Sequence, residues 1–195
     1  LADHIARRYY ELPKEKRNGK CQITTSTSFF IPKPFTPFQW ARMYNNDEYI
    51  ARAAIVKHEF NEQLNRKSLK YHWHDAEVTV LEGVFARGDR KLSKVIREAY
   101  RLGCLYDSWT EKFDNEKWMK AFENTGIEIG FYNLRERRAD EIFPWDFIDI
   151  GVTKEFLYQE WQRAKKGEVT PNCRVKCSGC GVMKYKGGVC VESKN

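Results

Sequence analysis

Cys21-Gln22-Ile23-Thr24-Thr25-Ser26-Thr27-Ser28-Phe29-Phe30-Ile31 is the run whose reading decides the fold. Its first half is rich in β-branched residues and alternates, so it reads as a strand; its second half opens into a loop. Upstream, Asp3 to Lys16 carries Ile5, Tyr9 and Leu12 at helical spacing, with Asp3 as N-cap and Pro13 ending or kinking the last turn. Arg17-Asn18-Gly19-Lys20 is the turn between them. Downstream, Pro32, Pro34 and Pro37 forbid a helix or a central strand, and Phe35, Phe38 and Trp40 stand among them. Aromatic rings of that area do not stay in water, so the loop must lie on a hydrophobic surface. It is either a rigid connector on its own core or the wall of a pocket or inter-domain seam. The expected partner of the three rings is the first helix hairpin.

From Asn46 the pattern turns helical. Asn46 or Asp47 is placed to cap a long amphipathic helix running through Ile50, Ala53, Ala54, Phe60 and Leu64 towards Arg66. Ser68 to Trp73 is a short strand candidate, which would put His72 and His74 on one face as a conceivable metal pair. The stronger reading has these histidines and Asp75 cap and staple the helix Asp75–Ala86. Arg87-Gly88-Asp89-Arg90 breaks that helix. A second follows from Lys91 to Leu102, ended by Gly103, and the two read as an antiparallel hairpin. Asp114 is placed to cap a helix over 115–124, and Thr153 one over 154–165 that Gly167 releases. Between them, Phe131 to Arg138 is aromatic and then basic, with Arg135, Arg137 and Arg138 as candidate nucleic-acid contacts or as an ordinary solvated loop. The fold class that emerges is mainly α, within α+β.

The chemically most pointed stretch is Thr170-Pro171-Asn172-Cys173-Arg174-Val175-Lys176-Cys177-Ser178-Gly179-Cys180-Gly181-Val182. Three thiolates at x3 and x2 spacing, with Gly179 and Gly181 turning backbone amides towards sulfur, make a half-cage for a soft metal, and Cys190 follows as a candidate fourth ligand. Zinc and an iron–sulfur cluster both suit thiolate donors. Three readings stay open: a structural metal site or accessory cluster, uncomplexed or redox thiols, and a reaction-initiating cluster. The same spacing is that of the radical S-adenosylmethionine signature, but that signature precedes a barrel, and only 15 residues follow Cys180.

A length of 195 residues permits one domain or two small ones, and 42% hydrophobic with 14% aromatic residues is ample for a packed core. No run approaches the ~18 apolar residues of a membrane span. Leu1-Ala2-Asp3-His4 opens no signal or transit peptide, which sets the expectation of a cytoplasmic protein without membrane partners and with reduced or metal-bound cysteines. Lys plus Arg exceeds Asp plus Glu by 34 − 27, giving +7. That excess suits a polyanion such as RNA, or else a solvated basic surface. No phosphate loop and no Ser/His/Asp nucleophile motif is present. The absence of Met at position 1 suggests a piece of something longer.

Ser28-Phe29-Phe30-Ile31-Pro32-Lys33-Pro34-Phe35-Thr36-Pro37-Phe38-Gln39-Trp40 resembles the segment leaving the last barrel strands in a family of cobalamin-binding radical S-adenosylmethionine proteins. Trp73-His74-Asp75-Ala76-Glu77, Phe85-Ala86-Arg87-Gly88-Asp89-Arg90, Pro144-Trp145-Asp146, Gly151-Val152-Thr153-Lys154-Glu155-Phe156-Leu157 and the cysteine triplet are similar to that family as well. The resemblance implies residues 1–45 as the end of a radical S-adenosylmethionine barrel, 46–168 as a helical accessory domain and 169–195 as a cysteine-rich metal-binding tail. It implies Phe35, Phe38 and Trp40 as a pocket wall, and Cys173, Cys177, Cys180 and Cys190 as ligands of zinc or an iron–sulfur cluster. S-adenosylmethionine, its 4Fe–4S cluster and cobalamin are implied only for an upstream barrel and cobalamin-binding domain, the expected partners, so no catalytic residue carries over and these residues alone should be inactive. The alternative is a stand-alone zinc-stapled basic helical module that binds RNA.

Overall fold

A computed structural model describes residues 1–185. The chain divides into two compact units, one made of Leu1–Ile31 with Tyr44–Glu82, the other of Pro32–Met43 with the residues from Gly83 onward. Helices dominate, and the only sheet among the described residues has two strands.

The first unit contains α1 (Ala2–Glu11), β1 (Ile23–Thr27), α2 (Asn46–Glu62), β2 (Leu69–Trp73) and the start of α3 (Ala76–Arg87). The strands pair in parallel, in register from Ile23↔Leu69 to Thr27↔Trp73. Parallel strands cannot be closed by a tight turn, so the chain must travel back before the second strand begins, and α2 makes that return. This is why residues past 45 belong with the strands, and why the expected boundary at 45/46 is not where the units divide. Asn45, one residue before the expected cap, starts α2 through a capping box: its side chain accepts from Glu48 N at 2.8 Å while Glu48 accepts from Asn45 N at 2.9 Å.

Asp3 sits inside the first turn of α1 and not at its cap. Its carboxylate accepts from both nitrogens of Asn65 at 3.1 Å and from Arg7 Nε at 2.6 Å, which ties α1 to the approach to β2. Both strands alternate in exposure with the same phase. Ile23, Thr25, Thr27, Leu69 and Tyr71 are half-buried, while Thr24, Ser26, Lys70 and His72 are exposed. On the half-buried side Phe60 of α2 stacks on Tyr71 at 5.3 Å, and Thr27 Oγ1 and Tyr71 OH lie 2.8 Å apart.

In the second unit α4 (Leu92–Arg101) packs chiefly on α5 (Asn115–Thr125), not on α3 as a hairpin. The reason is legible in the buried faces, where Val95 and Ala99 of α4 have the large apolar counterparts Trp118 and Phe122 on α5. Asp114 caps α5 by accepting from Lys117 N. The short α6 (Ile129–Asn133) follows, then α7 (Lys154–Lys165), capped by Thr153 as its sequence suggests. No helix of the described residues is long and apolar enough to cross a membrane.

A second core in this unit gathers Trp40, Phe143, Trp145 and Leu157, with Phe35, Tyr158 and Trp161 packed against it. Trp40 is 1% exposed. Replacing it with Ala is expected to cost about 3–5 kcal/mol, because the indole leaves a cavity that the loop cannot fill. Urea unfolding of the Trp40→Ala chain checks this, and a loss under ~1 kcal/mol would contradict the packing.

Candidate functional site

The proline-rich loop ends in a 3-10 turn, Pro37–Trp40, that packs on α7. Trp40 meets Phe143 at 5.5 Å and Tyr158 at 5.1 Å between ring centroids, and Phe38 meets Trp161 at 5.4 Å. The expected partner, the α3–α4 pair, is thus replaced by the last helix and the Phe143–Trp145 turn. Gln39, 2% exposed, fixes the arrangement by accepting at Oε1 from Trp145 Nε1 (2.8 Å) and from Phe35 N (3.1 Å). Phe35 itself holds φ at 59°, a left-handed conformation costly for a residue with a side chain. Beside it lies an open recess of about 290 Å³ lined in part by Phe35, Gln39, Trp145, Phe147 and Asp149. Of the three predicted wall residues Phe35 borders that recess, Trp40 is core but lines a second recess of about 320 Å³ with Lys154 and Tyr158, and Phe38 is partly exposed.

The candidate nucleic-acid arginines each have an acidic or carbonyl partner within the second unit. Arg137 is 5% exposed. Its backbone N donates to Trp40 O at 2.8 Å, Nη2 donates to Arg87 O at 2.9 Å, and its guanidinium lies 5.2 and 5.1 Å from the Phe143 and Trp145 ring centroids. Burial pushes its pKa down from the ordinary guanidinium value, with Glu141 acting the other way. Arg135 grips Glu141 through two bonds of 2.6 and 2.7 Å, which raises its own pKa and lowers that of the carboxyl. Arg138 pairs with Asp140. A phosphate would have to displace a carboxylate at Arg135 and Arg138, and it does not reach Arg137. The motif is basic in sequence but neutralised locally by acids two to six residues away, a pairing that composition alone does not reveal.

The cysteine tail is held to the turn before α7. Thr153 N donates to Cys180 O at 2.9 Å, and Lys184 pairs with Asp149. Gly151 and Gly181 take φ of 86° and 102°, and the approach is close. A Cβ on Gly181 would stand 2.9 Å from Gly151 O, and one on Gly151 would stand 2.7 Å from the Tyr185 ring. Cys173 and Cys177 are exposed, Cys180 is half-buried, and all three are free thiols. The donor chemistry suits zinc or an iron–sulfur cluster, but the described residues contain no group of three or more His, Cys, Asp or Glu arranged to hold an ion. As placed here, then, the three sulfurs do not form a site. Cys190 lies outside the described residues. His72 and His74 likewise form no such group.

One feature of the first unit escaped sequence reasoning. A recess of about 640 Å³ is lined by Ile5 of α1, the consecutive β1 residues Ile23 to Ser26, Phe60 of α2 and Leu69 of β2, among others. Ile23, Thr25 and Leu69 of this lining share the half-buried side of the sheet, and β1 has no strand on its other edge among the described residues. The signal was the strand itself, but its parallel pairing, which leaves that edge open, is a tertiary property. Comparison of the chain with family models, curated proteins and solved structures finds no match.

Hydrogen bonds from Lys184, the Gly151 N–H and Tyr185 hold the Asp149 carboxyl down to a pKa of about 2. A carboxyl whose folded pKa is depressed contributes stability that is full above its unfolded value of ~3.9 and is lost as pH falls through the folded one. The tail is therefore expected to stay latched at pH 4 and to release between about pH 4 and 2. Asp149→Asn should shift the Gly151 and Tyr185 resonances at neutral pH and remove their change over that acid range; an unaltered acid titration in the variant would contradict the latch.

Proposed function

We propose that these residues form the closing part of a larger parallel α/β enzyme, with β1 and β2 as its last strands and the second unit as a helical accessory region carrying a cysteine tail. The observation that carries the reading is the parallel pair with its helical return, a β1 edge with no second strand among the described residues, and an apolar recess lined by the strands, α1 and α2. A parallel sheet is ordinarily covered on both faces, and an isolated two-stranded sheet is marginal in water. Ile5, 48% exposed on α1 in the lining of that recess, is apolar surface that another strand and its helix would cover.

The resemblance to cobalamin-binding radical S-adenosylmethionine proteins supplies the finer form of the proposal. In it the missing strands belong to a barrel that holds S-adenosylmethionine, its 4Fe–4S cluster and, in a further domain, cobalamin. When bound, that cluster and cofactor would supply radical chemistry; this chain contributes strands, a helical region and a terminal tail. Metal binding by the tail rests on its donor set and on the turn geometry of Gly179 and Gly181, both at positive φ. Binding requires the tail to rearrange so that Cys173, Cys177 and Cys180 converge, because three thiolates gather only around a cation.

The natural polypeptide that contains these residues, recovered intact and sequenced from its N-terminus, is expected to carry an upstream three-cysteine cluster motif and further β/α units. A natural polypeptide beginning at or within a few residues of Leu1 would contradict the reading. For the tail, zinc titration under anaerobic conditions is expected to saturate at one ion per chain, and Cys173→Ser, Cys177→Ser and Cys180→Ser each to abolish stoichiometric binding. Full occupancy in all three variants, or none in the parent chain, would remove the metal from the proposal.

A further inference from the structure

We infer that the exposed face of the sheet, formed by Thr24, Ser26, Lys70 and His72, is a binding wall for the anionic group, carboxylate or phosphate, of a small molecule. The inference rests on the reading that further strands complete the sheet. The register sets Thr24 opposite Lys70 and Ser26 opposite His72. Neighbouring strands lie about 4.8 Å apart and alternate residues of one strand about 6.6 Å apart, so the four side chains leave one face within the span of a single small ligand. All four are exposed, and among the described residues neither Lys70 nor His72 enters an ion pair. The opposite face is closed by its own chain, with Phe60 stacked on Tyr71.

The chemistry of this face is unusual for its place. Strands of a parallel sheet are typically covered on both sides and read as near-continuous apolar runs. Here one side carries an ammonium, an imidazole and two hydroxyls, and no carboxylate stands among the ten residues of the two strands. Where the completed sheet closes on itself or is covered, this face leaves bulk water, an unpaired Lys70 becomes costly, and an anion is what neutralises it. Lys70 supplies charge, His72 supplies charge or a neutral N–H, and Thr24 and Ser26 supply hydroxyl donors. Ser26 and His72 are each one residue from the C-terminal end of their strand, the end at which open and closed parallel α/β sheets bind ligands.

The test uses the 195-residue chain, isotopically labelled, at low ionic strength and mildly acidic pH where imidazoles carry charge. Inorganic phosphate and, separately, acetate are titrated while the ring signals of His72 and His58 and the side-chain signals of Lys70 and Lys57 are followed. The expected result is a saturable shift at His72 and Lys70 only, stronger with phosphate if the wall takes a phosphate and stronger with acetate if it takes a carboxylate. Lys70→Gln and His72→Asn, conservative changes at exposed positions, should each weaken it, and the double variant by about tenfold or more. Equal shifts at His58, exposed on α2, would show only the general attraction of a basic chain and overturn the inference, as would no shift at His72. The readout does not depend on added strands, so a failure here is separate from a failure of the completed-sheet reading.

Discussion

Two strands that run in the same direction impose more on this chain than any single contact. The N–H and C=O groups along β1 and β2 find partners only if the chain returns to its starting level between them, and that demands a connection the length of α2. The capping box at Asn45, the Asp3 bonds to Asn65 and the Phe60–Tyr71 stack all serve to hold that return against the strands. The same parallel arrangement leaves main-chain groups on the far edge of β1 with no strand among the described residues to pair with. Apolar side chains of α1 and α2 line an open recess with the strands, so the first unit has the chemistry of a surface made to be covered.

The second unit depends on a different device, a buried cation used as a joint. Arg137 reaches the carbonyl of Arg87 with its guanidinium and that of Trp40 with its backbone N–H, and its guanidinium lies beside two aromatic rings. Cation–π contacts of this kind are worth ~2 kcal/mol or more when desolvated, and they fix geometry that apolar packing alone would leave loose. Trp40 and the Phe143–Trp145 turn are thereby set against α7, and Lys184 latches the described part of the tail to the turn that precedes it. Within the second unit, α7 and the cysteine stretch are thus mechanically continuous. A metal that drew Cys177 and Cys180 together would act on the N-terminus of α7 through the Thr153–Cys180 bond.

Much of the fold was legible because it rests on local signals. The β-branched alternation of 23–27, the caps Asp114 and Thr153 and the aromatic demand of Phe35 and Trp40 each name an element or a burial without reference to the rest of the chain. What the sequence did not disclose is pairing across distance. Nothing local says that β1 and β2 run parallel, that α4 meets α5 and not α3, or that Arg135 and Arg138 are neutralised by Glu141 and Asp140. The candidate site follows the same division. Three cysteines at short spacing are conspicuous in sequence, yet the described structure leaves them apart. The polar sheet face is made of four ordinary residues 44 to 48 positions apart across the strands, and becomes a site only through register.

Amide hydrogen exchange at Ile23–Thr27 is the most direct measurement of the central claim, that β1 pairs with a further strand beyond β2. In the 195-residue chain alone only the β1 amides that point towards β2 should be protected, because alternate N–H groups along a strand face opposite edges. In the intact natural polypeptide that contains these residues, the account predicts slow exchange at all five. The same alternating pattern in both would contradict it, and would leave β1 as a true outer edge.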